Sequence, residues 1–391
     1  MRALTVLCFR DAVPQRLART RTVMTPTEAA GLAILGASHR RLLTALLRAV
    51  RGAGTADDQE ALPLRACNES ILTWACRCRP RESPDDPAAT AVEIARQATR
   101  QLADAARLGI HALAIPDPRY PALLAAIPDP PPLLWARGAI AVLTRPAIAI
   151  VGSRAATAYA LTMARQLSRD LAAAGAVIVS GLARGVDSAA HAGALDAKGS
   201  TVGVLGCGID RIYPAEHRDL ARDIEHAGAV VSEFPVAVPP LPHHFPLRNR
   251  IISGLSTAVV VVEAPEKSGS LITAAAAVEQ GRDVMVVPGP VTGARNRGGH
   301  LLIRDGAKVV ESADDILQDI GFASRITMTG SNSEQEMLGI GQLPQSTDFS
   351  IDDVAERTGE PPGIVLARLL ELELTGKIQR IGGGRYIRVL T

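Results

Sequence analysis

The chain of 391 residues has almost no net charge, since 42 lysine and arginine residues against 40 aspartate and glutamate residues leave +2. If nucleic acid is the partner, a local cluster of cations must therefore supply the positive field. Aromatic residues make up only 3% of a sequence that is 47% hydrophobic. This composition, rich in alanine, valine and leucine, argues against an aromatic-rich β-sandwich and favours helices packed on parallel strands.

Cysteine is also scarce. Five cysteines are spread thinly along the chain, an odd number typical of reduced intracellular proteins, so we expect no structural disulfide. Cys67, Cys76 and Cys78 lie close together without a fourth cysteine or histidine nearby, so we expect no metal site. The sequence has no run of 18 or more apolar residues and no secretory leader pattern in residues 1–23. We therefore expect a cytoplasmic protein without membrane association.

Two common nucleotide-binding signatures are missing. No GxxxxGK[ST] segment for ATP hydrolysis is present, and Gly206-Cys207-Gly208 lacks the third glycine of a dinucleotide fingerprint because Arg211 stands there. We expect no cofactor. Four acids in loops after predicted strands could act as general acids or bases: Asp187, Asp210, Glu233 and Glu263. Acids at strand ends more often cap the next helix or pair with arginine, so we expect that the protein is not an enzyme.

The hydrophobic pattern divides the chain into five segments. We expect residues 1–24 to be an arginine-rich, disordered extension, and residues 25–110 have the spacing of a small helical domain. Residues 111–325 form the central domain, residues 326–346 are a polar linker, and residues 347–391 predict a winged-helix-like domain. Within that last segment, we expect a second helix over residues 363–374 and a hairpin over residues 377–389.

The central domain alternates short apolar strands with amphipathic helices. The predicted strands are Ala147–Val151, Val177–Ser180, Thr201–Leu205, Ala229–Ser232, 258–263 and 283–287. The predicted helices are 159–174, 188–197, 215–227, 247–254 and 271–280. This alternation predicts an α/β fold with a Rossmann-like, mostly parallel sheet covered by helices on both faces. Seven prolines between residues 115 and 138 predict a linker on the surface before this sheet.

Glycine follows most of the predicted strands. In an open parallel sheet, ligands bind outside the carboxyl ends of the strands. Here those positions hold glycine-containing loops at residues 152–154, 180–187, 206–210, 263–270 and 288–290. Glycine lets backbone N–H groups approach an anion, and several of these loops lead into a helix N-terminus that favours phosphate. One such loop is weak evidence, because α/β proteins need glycine merely to turn the chain, but several at one edge indicate a row of phosphate sites.

Basic residues accompany these loops. They are Arg154, Arg184, Arg248, Arg250 and Lys267. Arginine pairs bidentately with phosphate and stacks on bases, so the segment 245–250 suits a nucleic-acid backbone. The alternative is a helix start whose arginines are solvated or paired with carboxylates. Phe245 could stack on an unpaired base or simply fill the core.

The order of these motifs closely resembles the bacterial DNA-processing protein A family, DprA, also called Smf. The match covers about residues 115–320 and includes GSR at 152–154, SGLARGVD at 180–187, FPLRNRIISGLS at 245–256 and SGSLITA at 268–274. The resemblance implies single-stranded DNA binding, a homodimer, and loading of RecA recombinase onto DNA in natural transformation. It points to a strand-binding surface made of Ser153, Arg154, Gly181, Arg184, Arg248, Asn249, Arg250, Lys267, Ser268, Gly269 and Ser270. The loop analysis adds Gly152, Ser180, Gly185 and Phe245.

This chain departs from the family pattern at His217 and His300, where the family usually has asparagine. Any hydrogen bond that needs the asparagine amide is therefore in question. The C-terminal unit is not strongly basic, which predicts an accessory or protein-contact role. Two rival functions stay open at this point. One is a nucleotide-processing phosphoribohydrolase of the same superfamily, although its PGGxGTxxE segment is absent; the other is a sequence-specific repressor that uses the C-terminal unit.

Overall fold

The computed structural model describes residues 25–36, 72, 76, 86–115, 117–322, 349–358, 365–366, 369, 372–373, 378–381 and 385–388. The predicted extension 1–24, the linker 326–346 and most of the predicted helix 363–374 lie outside the described residues. The chain divides into two compact units, Met1–Ala323 and Ser324–Thr391.

The first unit is built on a nine-stranded sheet with the order β1-β2-β6-β5-β4-β3-β7-β8-β9. The strands are β1 His111–Ala114, β2 Leu133–Gly138, β3 Ala147–Val151, β4 Val177–Ser180, β5 Thr201–Leu205, β6 Ala229–Ser232, β7 Ala258–Val261, β8 Asp283–Val286 and β9 Lys308–Val309. Strands β3 to β9 pair in parallel, whereas β1 and β2 join antiparallel at one edge. The predicted Rossmann-like, mostly parallel sheet is confirmed.

Helices cover both faces of the sheet. They are α1 Pro26–Gly36, α2 Pro87–Arg107, α3 Ala122–Ala125, α4 Ala158–Ala173, α5 Val186–Asp196, α6 Arg218–Ala227, α7 His244–Gly254, α8 Gly269–Glu279, α9 Arg297–Arg304 and α10 Ala313–Asp319. Strand residues alternate between two cores: Ile148 and Ile150 pack with α4 and α5, while Ala149 and Val151 pack with α7 and α8. Because both faces are buried, the strands read as continuous apolar runs.

Several helices begin earlier than the sequence pattern indicates. Helix α7 starts at His244, three residues before the predicted start, and Pro246 lies in its first turn, where proline is tolerated. Helix α8 starts at Gly269 because the Ser268 hydroxyl accepts a hydrogen bond from the Ser270 N–H and caps it. Both shifts bring helix N-termini closer to the carboxyl edge of the sheet.

The predicted surface linker before the sheet is wrong for most of its length. Leu133–Gly138 is strand β2, with Leu134 and Trp135 fully buried, and Tyr120 and Leu124 are buried with it. The Tyr120 hydroxyl donates to the Pro131 carbonyl oxygen at 2.7 Å. Among the described residues from 117 to 132 the prolines leave room only for the short helix α3, but the apolar residues between them pack into the core and the strand begins directly after them.

The N-terminal helices α1 and α2 share a hydrophobic core with the sheet. Ala29 of α1 and Ile94 of α2 belong to the same buried cluster as Trp135, Leu205 and Ile224. None of the helices in the described residues is long and apolar enough to cross a membrane.

The second unit contains a three-stranded antiparallel sheet in the order β10-β12-β11. Its elements are β10 Phe349–Ser350, α11 Ile351–Thr358, β11 Ile378–Ile381 and β12 Arg385–Arg388. Phe349, Val354 and Tyr386 form its core, and the Phe349 and Tyr386 rings stack. Strands β11 and β12 form the predicted hairpin.

Candidate nucleic-acid interface

A cavity of about 480 Å³ opens at the carboxyl ends of β3 and β7. From β3 the chain runs outward through β4, β5 and β6, and then returns to place β7 on the other side of β3. Open α/β sheets bind ligands at such a switch point. Nine of the residues predicted from the sequence line the cavity: Gly152, Ser153, Arg154, Arg248, Asn249, Lys267, Ser268, Gly269 and Ser270.

Two glycine loops are pressed together at one wall of the cavity. The Ser153 carbonyl oxygen accepts a hydrogen bond from the Val186 N–H at 3.2 Å, and the Ser153 N–H donates to the Glu263 carbonyl oxygen at 2.7 Å. Gly185 has φ of +78° and lies so close that a Cβ there would be 2.3 Å from the Ser153 oxygen. Only glycine fits this backbone, so Gly185 shapes the wall without lining the cavity.

The N-terminus of α8 forms the opposite wall. Ser268, Gly269 and Ser270 begin this 11-residue helix, and the Asn249 amide of α7 donates to the Gly269 carbonyl oxygen at 3.2 Å. The positive end of the helix dipole favours an anion here. Lys267 directly precedes the helix and is exposed.

Arg248 lies inside the site. Its side chain is only 3% exposed, and Nη1 donates to the carbonyl oxygens of Gly181, at 2.7 Å, and of Val204. Burial lowers the pKa of Arg248 to about 10, so the guanidinium stays charged at neutral pH. Its Nε is buried and has no hydrogen-bond partner in the described part of the chain. Buried donors are rarely left unpaired, which makes this atom a candidate for contact with a bound anion.

The four acids predicted as possible general acids or bases all have structural partners. Asp187 accepts from the N–H groups of Gly181 and Ala183 at 3.1 and 3.4 Å, and burial raises its pKa. The other contacts are Glu263 with the Thr157 hydroxyl at 2.7 Å, Asp210 with the Ala237 N–H at 2.8 Å, and Glu233 with Arg250 at 2.7 Å. Each carboxylate ties a loop to its neighbour.

Arg154 and Lys267 are the exposed cations of the cavity. The Arg154 guanidinium carbon lies 5.4 Å from the centre of the Phe245 ring, over its face. At an exposed site such a contact contributes a stabilising energy of about 0.5–1 kcal/mol, which orients the cation. Among the described residues neither side chain forms an ion pair. Both charges are therefore open to a ligand.

The remaining predicted residues lie outside the cavity lining. Arg184 is exposed at the same edge and forms a bidentate ion pair with Glu216. The largely buried Arg250 side chain, 12% exposed, pairs with Asp129 at 3.0 Å and Glu233 at 2.7 Å, which is the carboxylate-paired alternative that the sequence left open. The Ser180 hydroxyl is buried and donates to the Ile150 carbonyl oxygen, and Gly181 lies beneath the cavity against Arg248.

The structure adds residues that sequence reasoning did not assign to the site. Asp187 and Thr273 line the cavity. Arg295 approaches from the loop after β8, where its Nη1 donates to the Ala155 carbonyl oxygen at 2.8 Å. The sequence could have indicated Arg295, because its loop follows a strand like the other loops of the site. The arginine was missed because it stands nine residues after the end of that strand.

The two histidines that depart from the family pattern make hydrogen bonds of their own. His217 Nδ1 lies 2.9 Å from the Leu182 carbonyl oxygen, and His300 Nε2 lies 3.1 Å from the Gly289 carbonyl oxygen. A ring N–H can donate to each carbonyl, as an asparagine amide would.

His191 of α5 predicts a pH dependence of stability. The Thr201 hydroxyl donates to Ile178, so it must accept from His191 Nδ1–H, and the buried Nε2 has no partner among the described residues. Burial lowers the pKa of His191 from 6.5 to about 3. A group whose pKa falls on folding contributes stability that is lost as the pH drops below 6.5. We expect a loss of about 2 kcal/mol by about pH 5.

The measurement is chemical denaturation of wild type and His191→Asn from about pH 7 to pH 5. The asparagine amide can still donate to Thr201 but does not titrate. The variant should lose less stability on acidification, and parallel curves for the two proteins would refute the assignment.

Comparison with known proteins gives a consistent result. The family model described as DNA recombination-mediator protein A matches residues 111–321, and a DprA winged helix domain matches residues 345–384, which confirms the predicted winged-helix unit. Protein Smf of Escherichia coli K12 is 42% identical over 281 residues, covering 69% of this chain and 75% of that protein. DNA processing protein DprA of Bacillus subtilis is 44% identical over 222 residues, covering 56% of this chain and 75% of that protein.

Two solved structures are also similar. The X-ray structure of DNA processing protein A from Streptococcus pneumoniae has a TM-score of 0.63 and 33% identity, covering 76% of this chain and 98% of that one. DNA processing protein A from Helicobacter pylori, described for its single-stranded DNA binding mode, has a TM-score of 0.50 and 29% identity, covering 55% of this chain and 96% of that one.

Proposed function

The chain belongs to the DNA recombination-mediator protein A family, and from this premise we propose that it binds single-stranded DNA through the cavity at the carboxyl edge of its sheet. One observation carries the proposal: the α8 N-terminus, two exposed cations and the unpaired Arg248 Nε meet in a single cavity. Backbone N–H groups, arginine and lysine are the usual partners of nucleic-acid phosphates. The relative from Helicobacter pylori is itself described as binding single-stranded DNA.

We assign a role in DNA binding to each cation according to how far its side chain is buried. Arg154 and Lys267 are exposed and would contact phosphates directly. Arg248 would hold the loop at Gly181 and the end of β5 in place and offer Nε to the deepest phosphate. Arg250 would have no contact with DNA, since Asp129 and Glu233 occupy its guanidinium. Arg184 would become available only by exchanging Glu216 for phosphate.

We also propose that this chain is not an enzyme. The four acids at the strand ends are engaged by Thr157, Arg250 and backbone N–H groups, so they are ill placed to move a proton on a bound strand. Following the family resemblance, the bound strand would be handed to RecA recombinase in the cytoplasm by a homodimer of this chain. Release of free base from nucleoside monophosphates would instead favour the phosphoribohydrolase alternative.

The test is a titration of fluorescent oligo-dT and of a duplex of equal length, at low and at physiological salt. We expect tighter binding of the single strand, because its backbone is flexible and its bases are free to stack, and weaker binding at the higher salt concentration. Equal affinity for both forms, or no binding, would contradict the proposed function. A preference for one duplex sequence would favour the repressor alternative.

A further inference from the structure

An exposed aromatic side chain stands beside the cavity. Tyr213 lies in the loop after β5 and is 48% exposed. Its ring centre is 5.5 Å from that of Phe245, with the two planes tilted by 48°. Tyr159 is exposed to a similar degree, 45%, but its hydroxyl donates to the Pro288 carbonyl oxygen at 3.0 Å, whereas no such bond holds the Tyr213 hydroxyl within the described residues. This placement calls for an explanation beyond packing.

Phe245 itself is poorly placed to stack on a base. Its ring packs against the backbone of Gly206, where a Cβ would come within 2.9 Å of it, and the Arg154 guanidinium covers a face of the ring. Phe245 is only partly exposed. The ring therefore orients Arg154 and packs against Tyr213. Tyr213 presents the open aromatic surface of this pair.

Tyr213 also lies at a suitable distance from the phosphate site. Strand β5 is two strands away from β3, which places the two strand ends about 10 Å apart along the sheet edge. Arg154 connects the cavity with the aromatic pair, since it lines the cavity and lies over the Phe245 ring. A strand whose phosphate is held in the cavity could therefore reach Tyr213 with a neighbouring base.

We propose that Tyr213 is a base-stacking residue, forming with Phe245 and Arg154 a ledge on which one unpaired nucleobase of the bound strand lies. The inference rests on the proposed function and adds a base-contacting place to a site otherwise built for phosphates. Stacking on an aromatic ring tolerates any base, because every base has a π-face. The ledge favours single strands over duplexes without reading sequence.

The test compares oligo-dT with an abasic deoxyribose-phosphate strand of equal length, using wild type, Tyr213→Ala and Tyr213→Phe. We expect Tyr213→Ala to bind oligo-dT about 5- to 30-fold more weakly, the loss of one stacked base. Its affinity for the abasic strand should equal that of wild type, because no base is there to stack. Tyr213→Phe should bind both strands like wild type.

A fluorescent base analogue gives an independent readout. A single 2-aminopurine in oligo-dT should be quenched at one position by wild type and Tyr213→Phe, and not by Tyr213→Ala. Equal losses on oligo-dT and abasic strands would mean a structural role and overturn the inference, as would unchanged binding of oligo-dT by Tyr213→Ala. If wild type binds neither strand, the proposed function falls as well.

Discussion

Arg248→Ala should lower the free energy of unfolding by about 3–5 kcal/mol, because it leaves the buried Asp187 carboxylate without the nearby guanidinium charge that offsets its burial. Two consequences add up. Asp187, which is buried beside Gly181, loses the charge that compensates its own, and the carbonyl oxygens of Gly181 and Val204 lose their donor. Chemical denaturation with matched slopes measures the change.

A second variant separates the lost charge from the lost volume. Asp187→Asn combined with Arg248→Met removes both charges while keeping side chains of similar size. Removing both buried charges together is often nearly neutral, so the double variant should recover the part of the stability that the uncompensated Asp187 charge costs, while the Gly181 and Val204 carbonyl oxygens still lack their donor. It should still bind oligo-dT weakly, since the cavity has lost its deepest cation. An Arg248→Ala protein as stable as wild type would show that the buried pair is not what holds the loops.

Removing the two exposed cations should have the largest effect on DNA binding with little effect on folding. The double variant Arg154→Gln and Lys267→Gln gives up two phosphate contacts, each releasing about 0.7 of a counterion from a single strand. At about 0.1 M salt, counterion release alone predicts a loss of roughly 25-fold in affinity for oligo-dT. Anisotropy titration measures it. Both side chains are exposed and form no ion pair within the described residues, so stability should fall by no more than about 1 kcal/mol, the contact of Arg154 with Phe245.

A control variant removes the same charge from the other edge of the sheet. Lys198 and Arg169 are exposed near the carboxyl ends of α5 and α4, which run from the cavity edge to the opposite edge. Arg169→Gln with Lys198→Gln therefore changes the net charge equally. Its affinity for oligo-dT should stay within about twofold of wild type at 0.1 M salt, because both charges lie more than a Debye length from the cavity.

Much of the fold follows from pattern alone. Strands β3, β4, β5 and β6 have the predicted bounds, because each is a short apolar run ended by glycine or polar residues and buried on both faces. Parallel strands put their following loops at one edge, so the loop at residues 152–154 and the start of α8 could be placed together without coordinates. Nine predicted residues meet in the cavity for this reason.

The parts that could not be predicted depend on long-range packing. Nothing in the segment 245–250 tells which arginine points inward. Arg248 meets carbonyl groups 67 and 44 residues away, and Arg250 meets Asp129, 121 residues away. The apolar residues among the prolines before β2 likewise become core only once the sheet exists. The local sequence pattern predicts where charged residues and turns lie. Which side chains are buried depends on the assembled fold.

The salt dependence of oligo-dT binding tests the central claim most directly, that Arg154 and Lys267 hold the phosphates of a single strand in this cavity. The logarithm of the binding constant should fall linearly with the logarithm of salt concentration. The Arg154→Gln and Lys267→Gln double variant should show a slope shallower than wild type by about 1.4, two contacts at about 0.7 each. Equal slopes for the two proteins, with the Arg169 and Lys198 control unchanged, would place the DNA elsewhere on the molecule.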